Sequence, residues 1–217
     1  MWVVKLGGSL LGAEELTRWL DILARYSNGN IIIVPGGGVF ADAVREAQRL
    51  AHLDDQSAHK MAVKAMDQYG ELLASLNPTI AVANSELEIA ERGFQHRAII
   101  WLPSKMVCAD EAIPAHWQVT SDSLAAWLAA KLNVEHLVLV KSIDFKTRRR
   151  HDDEISNQIS LEKLVKEGVV DLHFGDFIAG KHFNSWVIGK ADYTAFEHGI
   201  DADKLNATGL VIRCGWH

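Results

Sequence analysis

Two glycine-rich turns near the start of the chain constrain its fold more than any other feature. Each directly follows an apolar run, in residues 2–9 (WVVKLGGS) and residues 31–38 (IIIVPGGG). A strand that ends in glycines and leads into a helix exposes backbone N–H groups at the positive end of that helix, where an anion can bind. The first run also carries a lysine, Lys5. Two such turns in one small chain predict two phosphate groups, one on a donor and one on an acceptor.

The bulk properties of the chain predict a globular protein with neither a nucleic-acid nor a membrane partner. Its 217 residues are 48% hydrophobic, which is enough to bury a large core. A net charge of -6 and a pI of about 5.9 argue against a broad surface for nucleic acid. Neither a signal peptide nor an apolar run of the ~20 residues that a membrane span requires is visible. With only two cysteines, Cys108 and Cys214, in no metal spacing, we expect a cytoplasmic protein without a disulfide framework.

Short apolar runs that alternate with longer helical patterns predict an α/β fold. We expect a mainly parallel central sheet with helices on both faces, a three-layer α/β/α sandwich. The predicted strands are 2–6, 30–34, 79–83, 97–102, 136–141, 184–188 and 208–213. The predicted helices are 39–52, 57–76, 121–132 and an amphipathic helix that carries Leu16, Trp19, Leu20, Leu23 and Tyr26 on one face and stops at Asn28-Gly29.

The unusual residues of the chain fall at one edge of this predicted sheet. In open α/β sheets, ligands bind beyond the carboxyl ends of the strands, and both glycine turns lie there. Lys141 ends the run 136–140 and therefore lies at the same edge. The helix at 121 is opened by Thr120, Ser121 and Asp122, which supply capping side chains and negative charge. The sequence thus predicts a single site that collects these residues.

The glycine pattern matches neither of the two common phosphate-binding motifs. No G-x-x-x-x-G-K-[ST] follows a strand, and no G-x-G-x-x-G opens a helix. What is present is Lys-x-Gly-Gly-Ser after the first strand, Pro-Gly-Gly-Gly after the second, and Thr-Ser-Asp-Ser at a later helix start. In this order the motifs resemble the amino acid kinase superfamily, which includes the acetylglutamate, carbamate, uridylate and isopentenyl phosphate kinases. They span about the first two thirds of the chain.

A closer resemblance points to the acceptor. Residues 59–67 (HKMAVKAMD), 102–105 (LPSK) and 117–123 (WQVTSDS) are similar to the kinases of methanofuran biosynthesis. These convert an aminomethyl-furanmethanol phosphate to its diphosphate, and they have relatives in methylotrophic bacteria that make a similar one-carbon carrier. The resemblance implies an ATP- and Mg²⁺-dependent kinase whose small-molecule acceptor already bears a phosphate. Because a phosphate is a competent nucleophile, no strong base is needed.

The resemblance also implies roles for individual residues. Lys5 and Asp122 would be catalytic, with Lys5 between the two phosphates and Asp122 orienting it. Structural alternatives are a salt bridge for Lys5 and simple helix capping for Asp122. The remaining residues of the acceptor and phosphate site would be Gly7, Gly8, Gly36, Gly37, Gly38, His59, Asp67 and Ser121. Among them, His59 would donate to the acceptor's phosphate and Asp67 would meet its amine; a packing role is the alternative for each. Trp117 is either a core residue or a stacking platform.

The donor side departs from the superfamily pattern. Members usually carry Thr-Asp-x-Asp-Gly after the strand at 136–141, whereas this chain has Lys141-Ser142-Ile143-Asp144-Phe145. We expect Lys141, Ser142, Asp144 and Lys181 to bind the nucleotide, although an ion pair between Lys141 and Asp144 is an alternative. Residues 146–154, with three arginines at 148–150, are either a solvated loop or a lid over ATP. No motif dedicated to a metal is visible, so the nucleotide's phosphates would hold Mg²⁺.

The domain organisation follows from the same resemblance. We expect a single domain over residues 1–217, with an acceptor-binding lobe over about 1–135 and a nucleotide-binding lobe over about 136–217. Superfamily members are commonly homo-oligomers. Two alternatives to a kinase of the furan phosphate remain open. The protein could be a kinase for a carboxylate or isopentenyl phosphate, or it could be a non-catalytic binding or storage protein. A carboxylate acceptor would predict arginine, rather than His59 and Asp67, on helix 57–76.

Overall fold

The structure, a computed structural model, describes residues 1–143, 145 and 157–213. Their strands are β1 (Trp2–Leu6), β2 (Ile31–Pro35), β3 (Ala81–Ala83), β4 (Ile99–Trp101), β5 (His136–Lys141), β6 (Gln158–Ser160), β7 (Asn184–Gly189) and β8 (Leu210–Arg213). They form one sheet in the order β3-β4-β2-β1-β5-β7-β8-β6. The pairing is parallel between all neighbours except β7 and β8. The predicted mainly parallel sheet is therefore confirmed.

Nine α-helices are found in the described part of the chain. They are α1 (Glu14–Arg25), α2 (Gly38–Ala51), α3 (Asp55–Leu76), α4 (Glu86–Phe94), α5 (Ser104–Val107), α6 (Ser121–Lys131), α7 (Leu161–Lys166), α8 (Phe174–Ile178) and α9 (Ala202–Thr208). Polar side chains define several of their starts: Asp54 accepts a hydrogen bond from the Ser57 backbone N–H, and Ser85 accepts one from that of Glu88. Short 3₁₀ helices follow β1 and β7, at Gly8–Leu10 and Lys190–Phe196.

The core lies in two layers, one on each face of the sheet. Along β1, Val4 packs with the apolar stripe of α1, while its neighbour Val3 packs with α6 on the opposite face. This is the period of two that a strand buried on both faces requires. Helix α6 is buried on nearly all sides, consistent with its run of Leu, Ala and Trp. The three-layer α/β/α prediction is confirmed.

Several predicted boundaries were wrong in detail. The strands predicted over 79–83 and 97–102 are only three residues long. β3 starts late because Ile80 still belongs to a turn in which its N–H donates to Asn77 O. The strand predicted from residue 208 begins at Leu210, after α9 ends. Tyr26 was expected on the buried face of α1, but it lies at the helix end and is 38% exposed. Strand β6 was not predicted, because it is only three residues long and its single apolar residue, Ile159, is only partly buried between two exposed polar residues.

The sheet runs through both predicted lobes, because β1 pairs with β2 on one side and with β5 on the other. The division of the chain at about residue 135 remains a prediction. Of the helices in the described ranges, none combines the length and apolar character needed to cross a bilayer.

The two glycine turns lie against each other, backbone to backbone. They follow the neighbouring parallel strands β1 and β2, and the N–H of Gly36 donates to Leu6 O at 2.9 Å. A Cβ on Gly8 would overlap the backbone N and Cα of Gly38, and a Cβ on Gly36 would overlap Gly8 N. Gly38 also has a positive φ of 53°. Glycine is required here because only bare backbone allows the turns to approach so closely.

Replacement of Gly8 by alanine is expected to lower the melting temperature by roughly 5 °C or more, since the new methyl group collides with backbone atoms that cannot rotate away. Gly7→Ala is the matched control, because a Cβ there would meet only ordinary contacts, the nearest being Ser9 Oγ at 3.4 Å. Thermal unfolding followed by circular dichroism measures both. Equal melting temperatures for the two variants would contradict the close approach of the turns.

Candidate active site

Three charged side chains meet at the carboxyl edge of the sheet. Lys5 comes from β1, Lys141 is the last residue of β5, and Asp122 lies in the first turn of α6. The Nζ of Lys5 is 2.9 Å from Asp122 Oδ1, and the Nζ of Lys141 is 2.5 Å from Asp122 Oδ2. Their side chains are only 8%, 11% and 6% exposed, in the order Lys5, Lys141, Asp122. One carboxylate thus serves two ammonium groups, and the cluster carries a net positive charge that favours an anionic ligand.

The electrostatics of this cluster depart from those of free side chains. Burial by itself would raise the pKa of Asp122, but the ammonium groups of Lys5 and Lys141 outweigh it and hold that pKa at about 2. Burial and the nearby charge of Lys5 lower the pKa of Lys141 to about 8, against the opposing attraction of Asp122. Asp122 therefore stays ionised at neutral pH, while Lys141 is close to its titration point.

The first turn of α6 is held by a second carboxylate, Asp171. Its Oδ2 accepts hydrogen bonds from Thr120 N at 3.1 Å, Thr120 Oγ1 at 2.7 Å and Ser123 N at 3.0 Å. Its Oδ1 accepts a further bond from the Ser123 hydroxyl. Thr120 in turn caps the helix, accepting from the Asp122 N–H. Because Ser121 and Asp122 lie between the bonded residues, Asp171 fixes the backbone that carries them.

A pocket of about 530 Å³ opens beside the glycine turns. Its lining comes from both turns, α2, α3, and residues 117–124. The lining residues are Gly8, Ser9, Leu11, Gly37, Gly38, Val39, Ala41, Asp42, Arg45, His59, Ala62, Val63, Met66, Trp117, Val119, Thr120, Ser121 and Leu124. One end is therefore glycine and hydroxyl-bearing, one side of the wall is apolar, and Asp42, Arg45 and His59 add polar groups to the rest. This division suits a small organic molecule with an anionic end.

His59 is the imidazole that faces this pocket, and it is 94% buried. Burial lowers its pKa, a hydrogen bond to the backbone of His116 partly opposes that effect, and the charge of His116 lowers the pKa further. The ring is therefore neutral near pH 7 and presents one donor and one acceptor nitrogen.

At the pocket wall, a cation lies over an aromatic ring. The guanidinium carbon of Arg45 is 4.5 Å from the centroid of Trp117, and Arg45 Nη1 donates to Asp42 Oδ1 at 3.0 Å. The indole Nε1–H of Trp117 donates to Gln48 Oε1 at 2.5 Å. Trp117 is half-buried and lines the pocket. Its hydrogen bond to Gln48 anchors the ring on α2.

The structure brings many of the predicted acceptor residues together. Gly8, Gly37, Gly38, His59 and Ser121 all line the pocket. Gly7 lies beside the charged cluster, since a Cβ there would be 3.6 Å from Lys5 Nζ. Gly36 is not part of the lining and instead supports Gly8.

Asp67 is placed differently from these residues. It is not among the pocket-lining residues, and its Oδ1 accepts a hydrogen bond from Ser104 N at 3.0 Å, at the start of α5. Burial raises its pKa, against the lowering effect of that bond. The expectation that Asp67 meets the acceptor's amine remains a prediction, without a contact that favours it.

The predicted nucleotide residues differ in their surroundings. Lys141 belongs to the charged cluster, whereas the side chains of Ser142 and Lys181 are exposed. Asp144 and residues 146–154, including the arginines at 148–150, lie outside the described residues. Among the residues that are described, no three His, Cys, Asp or Glu side chains are grouped so as to hold a metal ion.

Two parts of the site were missed by sequence reasoning. Asp171 lies in a segment without a recognisable motif, 48 to 51 residues from its partners. Asp42 and Arg45 are polar residues of an amphipathic helix, a pattern typical of a solvated face. Their position one and two turns after the second glycine turn is the only signal that could have drawn attention to them.

Comparisons with known proteins agree with this geometry. The model of the amino acid kinase family matches residues 1–175. A Methanocaldococcus jannaschii protein, (5-(aminomethyl)furan-3-yl)methyl phosphate kinase, is 32% identical over 189 residues, which cover 87% of each chain. The crystal structure of uridylate kinase from Archaeoglobus fulgidus superposes with a TM-score of 0.68 at 20% identity, over 98% of this chain and 99% of that one. An isopentenyl phosphate kinase substrate complex gives a TM-score of 0.57 at 13% identity, over 98% of this chain and 100% of the other.

Two buried lysines share one aspartate, and two glycine turns lie beside them at the edge of the sheet. These are the features of a phosphate-binding protein. The chain belongs to the amino acid kinase family. The predicted resemblance to this family and the prediction of a phosphotransferase are both confirmed.

Replacement of Asp171 by asparagine is expected to destabilise the protein by about 1–3 kcal/mol, because an amide cannot accept all four hydrogen bonds that the carboxylate accepts. Amide hydrogens in the first turn of α6 should also exchange faster. Asp176→Asn is the control, since that carboxylate is 73% exposed and, among the described residues, contacts the ring of His173. Urea unfolding measures the free energy of unfolding of both variants, and hydrogen exchange measures the protection of the first turn of α6. Similar behaviour of the two variants would show that Asp171 does not hold α6.

Proposed function

We propose that this protein transfers the γ-phosphoryl group of ATP to a small phosphorylated acceptor, (5-(aminomethyl)furan-3-yl)methyl phosphate, and forms its diphosphate. The reaction would belong to the biosynthesis of a methanofuran- or methylofuran-type one-carbon carrier. The observation that carries the proposal is the buried, net positive cluster of Lys5, Asp122 and Lys141 beside a pocket with an anion-binding end. The 32% identity to a kinase of that acceptor supports the choice of substrate.

Lys5 has the position expected of a group that stabilises the transferring phosphoryl. Transfer of this group depends mainly on alignment and on neutralisation of charge. The Nζ of Lys5 is next to Gly7, so it lies where the first glycine turn would hold a phosphate. Asp122 orients Lys5 through their 2.9 Å contact. With a pKa of about 2, Asp122 is a poor proton acceptor, and the acceptor's own phosphate oxygen is the nucleophile.

The acceptor's phosphate would bind between the two glycine turns. Helix α2 begins there, and its N-cap Gly37 has no side chain that could cover the first turn, so the first N–H groups of the helix would face the anion. His59 and Ser121, which line the same pocket, would add donors to the phosphate. The apolar wall of Val63, Met66 and Leu124 would receive the ring.

The donor would approach from the opposite side of the cluster. Lys141 adds an ammonium group that a triphosphate could meet, and Ser142, Asp144 and Lys181 remain the predicted nucleotide contacts. Mg²⁺ bound to ATP would neutralise its phosphates. Both oxygens of Asp122 already engage lysines, so this carboxylate does not suit a cation, and the metal would be held by the nucleotide.

The pocket also bears on the alternative acceptors. Helix α3 presents His59, Ala62, Val63 and Met66 to it and no arginine, which was the feature expected for a carboxylate acceptor. Arg45 does line the pocket from α2, but its charge is paired with Asp42. The apolar wall is compatible with isopentenyl phosphate, which we keep as the second candidate. Homo-oligomeric assembly and a cytoplasmic location remain predictions.

The proposal predicts ADP and a diphosphate product when the protein is mixed with Mg-ATP and the furan phosphate, measured by mass spectrometry. Isopentenyl phosphate and a carboxylate are tested in parallel. Lys5→Ala should lower kcat by at least about 10³-fold because the transferring group loses its countercharge. Lys204→Ala, which removes a surface lysine, is the control. Full activity of Lys5→Ala would exclude Lys5 from the mechanism, and failure of the wild-type protein to bind ATP would exclude the kinase itself.

Activity should also depend on pH through Lys141. Its pKa of about 8 means that the ammonium is charged below that pH and neutral above it. We therefore expect kcat/KM for ATP, which reports on the free enzyme, to fall as the pH rises through about 8. Lys141→Arg keeps the charge and should move this fall to higher pH. A wild-type profile that is flat up to the ordinary lysine pKa of about 10.4 would contradict the role of Lys141.

A further inference from the structure

The wall of the pocket contains a site for a cation that a side chain of the protein itself fills. The guanidinium of Arg45 contacts a carboxylate, Asp42, at 3.0 Å and an aromatic face, Trp117, at 4.5 Å. These two kinds of contact, an anionic oxygen and a π-face, are the ones that recognise ammonium groups in ligands. Among the described residues that line the pocket, Asp42 is the sole carboxylate.

We propose that Asp42 and the face of Trp117 form the subsite for the acceptor's ammonium group, and that Arg45 fills this subsite only when no acceptor is bound. The inference rests on the proposed function, in which the acceptor carries an aminomethyl arm. An alkylamine of this kind is protonated at neutral pH, as lysine is. The acceptor is then recognised at both ends, its phosphate by the glycine turns and its ammonium by Asp42.

The spacing of the two ends matches such an acceptor. Helix α2 begins at Gly38, in the second glycine turn, and Asp42 follows four residues later. One helical turn therefore separates the backbone of Gly38 from that of Asp42, a rise of about 6 Å along the helix axis. Both residues line the same pocket. This separation is comparable to the width of a five-membered ring that carries one-carbon arms.

Trp117 is held in place for this role. Its Nε1–H donates to Gln48 Oε1, and Gln48 Nε2 donates to Asp55 Oδ1 at 2.9 Å. Because α2 and the start of α3 together fix the indole, its face stays directed into the pocket. A flat heteroaromatic ring with an ammonium arm can pack on that face.

Arg45 can leave the subsite at little cost. Its side chain is 55% exposed and that of Asp42 is 71% exposed, and the two lie three residues apart on one helix. Exposed pairs of this kind contribute only about 0–1 kcal/mol, so a cation delivered with a tightly held phosphate can displace the guanidinium. Once displaced, Arg45 can extend into solvent from its position on α2.

The experiment compares two acceptors. One is the furan phosphate with its aminomethyl arm, and the other is (furan-3-yl)methyl phosphate, which lacks the amine. Asp42→Asn should raise KM for the amine-bearing acceptor about three- to fivefold, the size expected for loss of an exposed ion pair, while changing KM for the other by less than about twofold. Trp117→Leu should act in the same direction, and Arg45→Ala should leave KM for the amine-bearing acceptor unchanged or lower it.

Glu46→Gln is the matched control, since Glu46 lies on the same helix as Asp42 and forms a similar exposed pair with Arg49 but does not line the pocket. Its ratio of the two KM values should equal the wild-type ratio. Asp67→Asn tests the rival carboxylate, which bonds to Ser104 and does not line the pocket. An unchanged ratio in Asp42→Asn would overturn the inference, as would a selective loss in Asp67→Asn. A rise in KM for Arg45→Ala would also overturn it, because Arg45 would then be a direct contact of the acceptor.

Failure of the proposed function gives a different result. If wild-type protein turns over neither acceptor, that function is wrong, and calorimetric binding of the two molecules decides the inference separately. Tighter binding of the amine-bearing molecule by wild type, lost in Asp42→Asn, supports the subsite. Equal binding of both molecules, or binding of neither, overturns it.

Discussion

The site depends on one carboxylate shared between two buried lysines. An isolated ammonium in this apolar sheet would lose hydration that nothing replaced, and two would also repel each other. Asp122 offsets one charge and leaves the other uncompensated, so the resting cluster is stabilised further by any phosphate that reaches it. The same arrangement therefore holds Lys5 through its contact with Asp122, and in the proposed reaction it would favour the transition state, in which negative charge moves between donor and acceptor.

The parallel sheet explains why these groups can meet. Lys5 and Lys141 come from adjacent strands whose carboxyl ends share one edge, although 136 positions separate them in the chain. Asp122 reaches the same edge because α6 packs across the sheet with its first turn at that end. Asp171 then locks this turn through four hydrogen bonds. The close approach of the glycine turns also brings the start of α2 to this edge of the sheet.

Sequence reasoning can locate features that are local in the chain, and it cannot locate those that depend on tertiary placement. The glycine turns, Lys5 and the Thr120–Asp122 cap could be recognised because each is marked by its neighbours along the chain. The surroundings of Asp67 could not, since eight residues of helix separate it from His59 by about 12 Å and it bonds to the start of α5. Its contact with the acceptor's amine stays a prediction. Asp171 could not be predicted, since only the folded chain brings it to α6.

The departure of Lys141 from the family pattern is physically compensated. A lysine in place of a small hydroxyl residue would, by itself, add an unpaired charge at the end of a buried strand. Here it takes the second oxygen of a carboxylate that Lys5 uses with the first. The cost appears in its pKa of about 8, since burial and the charge of Lys5 together outweigh the attraction of Asp122. In the proposed function a bound phosphate would supply the missing charge, so substrate binding and protonation of Lys141 would favour each other.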